Sequence, residues 1–408
     1  MSLPLRTVPA TSSYIALALL AALLAAVPWL QGQAGGRTLV FALACGAVLG
    51  VVLQRSRFCF YCHARDWFED RNPRGLLAIV LALAVGVLGH TVVLGGWLPV
   101  PQPGKLPPDM HIGPVSWVLV AAGLSFGAGM VVSGSCISAH WYRLAEGSAV
   151  SPFALLGSAL GFIAGFRTWN ALYSWSVADA PVVWLPAHLG YGGALLVQWG
   201  ALALVGAWLW RGFAQEGAAG DAPGVMKPVP GLGTVWRNLW TGRWHYWVGG
   251  LAVGLIGTFA IVRMRPLGVT ATLGSAARQW AQGQGWIPER LDGLDGFAGC
   301  ATLPQATWLT PNALLLAGLV AGSFVAALAS RQLVPRWPTW RDAARGLSGG
   351  VLLGWGAMTG LGCTMGTLLS GGMAGALSGW VFGAAVFFAV WAGLRAKAAP
   401  WRQGWGAN

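Results

Sequence analysis

Gly360-Leu361-Gly362-Cys363-Thr364-Met365-Gly366 interrupts an apolar run that begins near Gly346 and resumes near Gly372. Three glycines around one thiol are poor mid-helix sequence, because each glycine weakens a helix by about 0.8–1 kcal/mol relative to alanine. A membrane segment broken at that depth must be buried in protein or line a cavity, since lipid cannot satisfy the freed backbone groups. The arrangement occurs twice. Gly127-Ala128-Gly129-Met130-Val131-Val132-Ser133-Gly134-Ser135-Cys136 has the same outline as Gly354-Trp355-Gly356-Ala357-Met358-Thr359-Gly360-Leu361-Gly362-Cys363. Each has two glycines at matching distances before the cysteine, a methionine just behind them, and a second cluster of small residues before the thiol. A small-residue helix-packing face would explain the glycines alone. The repeated thiol points further, to a pair of broken, re-entrant segments meeting centrally.

The rest of the chain sets these breaks in a bilayer. Of 408 residues, 56% are hydrophobic and 9% charged, against about 25% charged in soluble domains. This is the composition of an all-α polytopic membrane protein. The net charge of +13 does not indicate nucleic acid: the basic residues sit between apolar runs, with no aromatic-interleaved basic patch. The run Tyr14–Leu30 lacks a small-x-small cleavage site followed by a soluble region, so it reads as a span and not as a signal peptide. Ten apolar segments follow the chain, at 12–30, 38–54, 75–97, 116–134, 152–173, 187–210, 245–262, 309–330, 346–362 and 374–394. Two of them, 38–54 and 346–362, are short for a full crossing, and short glycine-interrupted segments point to a transporter's binding site.

Arg55, Arg57, Arg65, Arg71 and Arg74 follow the second segment, and Arg331, Arg336, Arg341 and Arg345 follow the eighth. The positive-inside rule then places both termini in the cytoplasm of a bacterial-type inner membrane. Arg263, Arg265, Arg278 and Arg290 fall on the outer side and run against the rule, which long loops escape. Arg55-Ser56-Arg57-Phe58-Cys59 after the second segment parallels Arg263-Met264-Arg265-Pro266-Leu267-Gly268-Val269-Thr270 after the seventh. The expected organisation is an extra N-terminal span (1–37), a first repeat (38–186), a connecting span and cytoplasmic linker (187–244), and an inverted second repeat (245–408).

Three stretches together carry a resemblance. Gln54-Arg55-Ser56-Arg57-Phe58-Cys59, with Arg65-Asp66 behind it, resembles the first signature of the YeeE/YedE family of sulfur-compound transporters. Ser133-Gly134-Ser135-Cys136, with Trp141-Tyr142-Arg143 and Glu146-Gly147, resembles the second. Gly360-Leu361-Gly362-Cys363-Thr364-Met365-Gly366, with Ser370-Gly371, resembles the third. The likeness implies uptake of thiosulfate along a central path relayed by cysteine thiols. It implicates Cys59, Cys136 and Cys363 as substrate-binding, with Gly134, Ser135, Gly362 and Thr364 around them. Arg57, Arg143 and Glu146 would then support the motifs. The middle motif departs from the family pattern at Ser135 and Ile137, and the bulkier Ile137 would narrow the path. The family also pairs with a small cytoplasmic sulfur-carrier protein; no such domain is fused here.

The chemistry of the residues agrees. A buried thiol stays neutral, and a neutral S–H is a weak donor suited to a soft sulfur acceptor. Conduction needs several weak sites, whereas a fixed cation at midplane would trap a dianion. Backbone N–H groups at the starts of the segments beginning at Ser135 and Thr364 add stabilisation, and Arg263 and Arg265 would gather anions at the outer mouth. Cys59-Phe60-Tyr61-Cys62 is a CxxC, so the alternative function is a membrane thiol–disulfide oxidoreductase using that pair. No second CxxC or HxxxH accompanies it, which argues against a metal. Cys45 reads as packing and Cys300 as incidental. His90 and His140 read as structural, and Arg143 and Glu146 as a helix-surface ion pair. No Walker-type loop is present, and no ATP use or other cofactor is expected.

Overall fold

The computed structural model describes residues 11–217, 242–297, 299, 307 and 309–397. Most of the expected linker, Cys300 and both chain ends lie outside the described residues. Those described are almost entirely helical. In chain order they form α1 (Thr11–Gln31), α2 (Gly36–Ser56), α3 (Phe60–Asp70), α4 (Arg74–Trp97), α5 (Trp117–Ser133), α6 (Ile137–Ala145), α7 (Ser151–Leu172) and α8 (Leu185–Gly217). They continue with α9 (Tyr246–Arg263), α10 (Ala271–Gly283), α11 (Pro311–Ala329), α12 (Trp340–Thr359), a π-helical segment (Thr364–Gly371) and α13 (Leu377–Lys397).

Each of the ten expected apolar segments is a helix. Among the described residues nine helices are long and apolar enough to cross a membrane. The tenth, α7, falls short because Ser151, Pro152, Arg167 and Asn170 dilute its apolar run. The expectation of two short segments is corrected. The helix over 38–54 has 21 residues, and that over 346–362 has 20 because it starts six residues early, at Trp340. Its extra turns are polar, so the apolar run alone missed them. A capping box starts them: the Thr339 hydroxyl accepts from the Asp342 N–H while the Asp342 carboxylate accepts from the Thr339 N–H. The breaks therefore follow complete helices. The short elements are those beyond the breaks: α3 with 11 residues, α6 with 9, α10 with 13 and the π-helical segment with 8.

Glycine lets the long helices touch backbone to backbone. On α2, Gly46 and Gly50 lie against Leu315 and Leu319 of α11, and Gly318 and Gly322 of α11 return the contact to Leu43 and Ala47. Gly157 and Gly161 of α7 interlock with Gly350 and Gly354 of α12 in the same way. Bilayers supply no hydrophobic drive between helices, so close van der Waals fit of small residues has to do this work. The pairings have a pattern. α2 packs on α11 and α4 on α9; α5 packs on α13 and α7 on α12; α3 touches α13 and α10 touches α7. Exchanging α2–α7 for α9–α13 in order turns each pair into the other.

Candidate functional site

The glycines before the two duplicated cysteines separate into two kinds. Gly127 lies against Val386 and Ala389 of α13, Gly129 against Gly349 and Leu353 of α12, Gly354 against Ser158 of α7, and Gly356 against Ala122 and Phe126 of α5. All four are packing residues. The breaks are made further on. Gly134 has φ 86°, a left-handed conformation that ends α5. Leu361 has φ 57° after α12, and Arg57 has φ 50° after α2. A branched or long side chain in that region costs about 1–3 kcal/mol and persists only where the surroundings impose it.

Each of the three left-handed residues stands two positions before a cysteine. Each cysteine is the N-cap of the element that follows: Cys59 of α3, Cys136 of α6, Cys363 of the π-helical segment. Their backbones are extended, and none of the three thiols makes a side-chain capping bond. All three are buried, at 0–1% exposure. Three thiols therefore sit at helix starts, where the first N–H groups and the positive end of the dipole favour anions.

Cys59 and Cys136 come together, with their Sγ atoms 4.0 Å apart. The Ser138 hydroxyl lies 3.1 Å from Cys136 Sγ. Cys62 also contacts Cys59, and an Arg143 Nη2–H donates to Cys62 Sγ at 3.5 Å. The expected ion pair between Arg143 and Glu146 is not among the contacts of the described residues. Arg143 reaches the Gly134 carbonyl at 3.4 Å instead, closing over the break. Glu146 accepts from Gln54 Nε2 at 3.2 Å, and the same Gln54 amide donates to Gln332 at 2.8 Å. The two residues thus join the α5–α6 break to neighbouring elements. They also place a guanidinium beside the thiol pair, which the expected all-neutral path did not include.

Buried hydroxyls stand beside the breaks as well. Ser135 and Thr364 are fully buried, and neither Oγ has a partner. Thr270, the N-cap of α10, is buried and unpartnered in the same way. It occupies in α9–α10 the place that Cys59 occupies in α2–α3. No thiol marked this position in the sequence; the paired arginines ahead of it were the available signal. Beside the third break a small cavity, barely the size of a water molecule, is lined by His111, Ser116, Trp169, Gly360, Leu361 and Thr367 among others.

The expected structural histidines have structural partners. His140 bridges the Ser133 and Ser151 hydroxyls at 3.1 and 3.2 Å, and His90 bonds the Gly86 carbonyl at 2.9 Å. The arginines that follow the seventh segment are less free than their sequence suggests. Arg265 pairs with Asp109 at 3.3 Å, Arg290 with Asp292 at 3.6 Å, and buried Arg278 with Asp295 at 3.7 Å. Among the described residues no group of three or more His, Cys, Asp or Glu could hold a metal ion.

A family described as sulphur transport matches residues 55–392, from the first break to the last helix. The chain belongs to that family. It is a multi-pass membrane transporter of sulfur compounds and not an enzyme. Among its relatives, the thiosulfate transporter TsuA of Escherichia coli K12 is 27% identical over 372 residues, covering 86% of this chain and 92% of its own. The protein of the same name from Spirochaeta thermophila is 28% identical over 359 residues, covering 85% and 94%. The probable transporter YedE of E. coli K12 is 28% identical over 192 residues, or 46% of this chain and 44% of its own. With a transport family matched over the breaks, the oxidoreductase reading of the Cys59/Cys62 pair is not favoured.

Proposed function

We propose that this transporter takes up thiosulfate, or a closely related soft sulfur oxyanion, across the inner membrane along a path relayed by Cys363, Cys136 and Cys59. The observation that carries the reading is the shared geometry of the three thiols: buried, uncommitted to capping, each at the start of a helical element. A thiol offers a weak S–H donor to the terminal sulfur of thiosulfate. The backbone N–H groups behind it and the unpartnered hydroxyls of Thr270, Thr364 and Ser135 serve the oxygens. No covalent bond to the substrate is required. Arg143 strengthens the Cys59–Cys136 end, and its bonds to Gly134 and Cys62 spread its charge so that the anion is held without being trapped. With the thiols buried, the path is closed, and passage requires the breaks to part.

The exchangeable packing pairs support two halves of inverted orientation, meeting at their breaks. Cys59 and Cys136 then face the cytoplasm, where both termini lie, and Cys363 and Thr270 face outward. A small sulfur-carrier protein fits this reading as the cytoplasmic acceptor. Impermeant thiol labelling of single cysteines introduced beside Arg55 and Arg263 should succeed from opposite sides; labelling from one side would remove the inversion. The function itself is tested in a cysteine auxotroph stripped of its own sulfur importers. Expression of this chain should restore growth on thiosulfate. Growth restored by sulfate but not by thiosulfate would overturn the proposal.

A further inference from the structure

A cavity of about 840 Å³ lies away from the thiols, where α2 ends and α4 and α9 begin, against the C-terminal part of α8. Its lining is mixed. Leu77, Ala78, Leu81 and Pro73 contribute apolar surface, and Arg55, Arg57, Arg74, Arg243 and His245 contribute basic groups. Among the described residues no acidic residue lines it. Trp210, Trp244, Tyr246 and Trp247 stand among them, with Trp210 and Trp247 each 58% exposed. Tryptophan at helix ends marks the membrane–water boundary.

From this arrangement we infer that the cavity is a binding site for an anionic phospholipid, whose phosphate meets the arginines and whose acyl chain follows the apolar surface. Three observations select that occupant. First, the lining combines hydrocarbon side chains with several cations, which suits an anionic amphiphile. Second, Arg57 and Arg243 approach each other closely enough that Arg57, after burial, pushes the Arg243 guanidinium below its usual range. The acid that acts on Arg243, Glu146, has its carboxylate bonded to Gln54. Arg57 and Arg243, like charges on one cavity, favour an anion between them, and basic pockets between helix ends suit a phospholipid headgroup. Third, the site is braced for a defined shape: the Trp244 N–H donates to the Arg55 carbonyl at 3.1 Å, and Arg55 Nη1–H donates to the Gly242 carbonyl at 3.4 Å.

The site also bears on transport, although it stands apart from that reading. Arg57 is the left-handed residue of the first break. A lipid phosphate on its guanidinium would hold the turn that presents Cys59.

The test is native mass spectrometry of the full chain in detergent, titrated separately with phosphatidylglycerol, phosphatidylcholine and sodium phosphate. Each arginine near a membrane surface contributes about fivefold to anionic-lipid affinity. Phosphatidylglycerol should therefore bind at least about fivefold better than phosphatidylcholine. Substitution of both Arg57→Ala and Arg243→Ala should remove that preference. Arg331→Ala with Arg341→Ala, on a different basic connection, should keep it. If the first double variant does not fold, Arg243→Gln alone should lower the preference by at least about twofold. Equal binding of the two lipids, an unchanged preference in the Arg243 variants, or retention of inorganic phosphate without any lipid preference would overturn the assignment.

Discussion

Cys59 and Cys363 both cap a helical element two residues after a left-handed residue, yet what surrounds them differs. Cys59 has a second thiol 4.0 Å away and a guanidinium close by. Cys363 is followed by the unpartnered Thr364 hydroxyl and a π-helical segment, next to a water-sized cavity. One backbone device serves two chemistries. The device does not depend on glycine, since Arg57 and Leu361 adopt the strained conformation as Gly134 does. The thiol's position is therefore imposed by packing around the break, and the glycine-rich sequence upstream is how that packing is achieved.

The sharpest way to break this comparison is to attack the packing. Gly354→Leu would drive a side chain into the backbone of Ser158 on α7, and should cost at least about 3 kcal/mol, with loss of folded protein from the membrane. Gly134→Ala strains only the turn and should cost about 1–2 kcal/mol. Equal yields of the two variants, read by fluorescence-detected gel filtration, would undo the division between packing and break glycines.

Hydroxyl removal sharpens the other half of the comparison. Thr364→Val and Thr270→Val each delete an unpartnered buried group, so thermal stability should hold or rise by about 1 kcal/mol. Uptake should fall about tenfold in each, as expected for loss of a hydrogen bond to a charged acceptor. A fall in both stability and uptake would make the hydroxyls structural.

Two smaller effects on uptake remain. Leu361→Gly relieves left-handed strain of about 1–3 kcal/mol but removes a buried side chain, which costs about 2–5 kcal/mol, so stability should fall by about 1–3 kcal/mol while uptake per folded protein stays within about twofold of the parent. A large loss of uptake would show that the Leu361 side chain itself matters in the path. As a test of the proposed outer mouth, Arg263→Gln should slow uptake slightly at low ionic strength and not at high. Arg265→Gln should do less, because Asp109 already neutralises it; the reverse order would contradict the role given to that ion pair.

The helical architecture was legible because hydrophobic runs record burial directly: all ten segments recur as helices. The start of α12 was not, because its first turns carry Arg341, Asp342 and Arg345, and an apolar run cannot register a polar helix end. The thiols were legible from their motifs. Thr270 was not, because threonine at a helix start is ordinary N-cap chemistry, and only burial without a partner distinguishes it. Arg143 and Glu146 were visible as residues and misread as a pair, since spacing along one helix says nothing of partners such as Gln54 and Cys62, 92 and 81 positions away.

The central claim, that three thiols at helix starts relay the anion, is tested most directly by thiosulfate uptake in the single variants Cys59→Ala, Cys136→Ala and Cys363→Ala. Cys45→Ala, Cys62→Ala and Cys300→Ala serve alongside, all normalised to protein in the membrane. The account predicts that the first three each lose at least about tenfold in uptake while remaining folded, the loss expected for one hydrogen bond to a charged group. The other three should keep most of their activity. Near-normal uptake by Cys136→Ala and Cys363→Ala would contradict it, and would leave the two breaks as packing features alone.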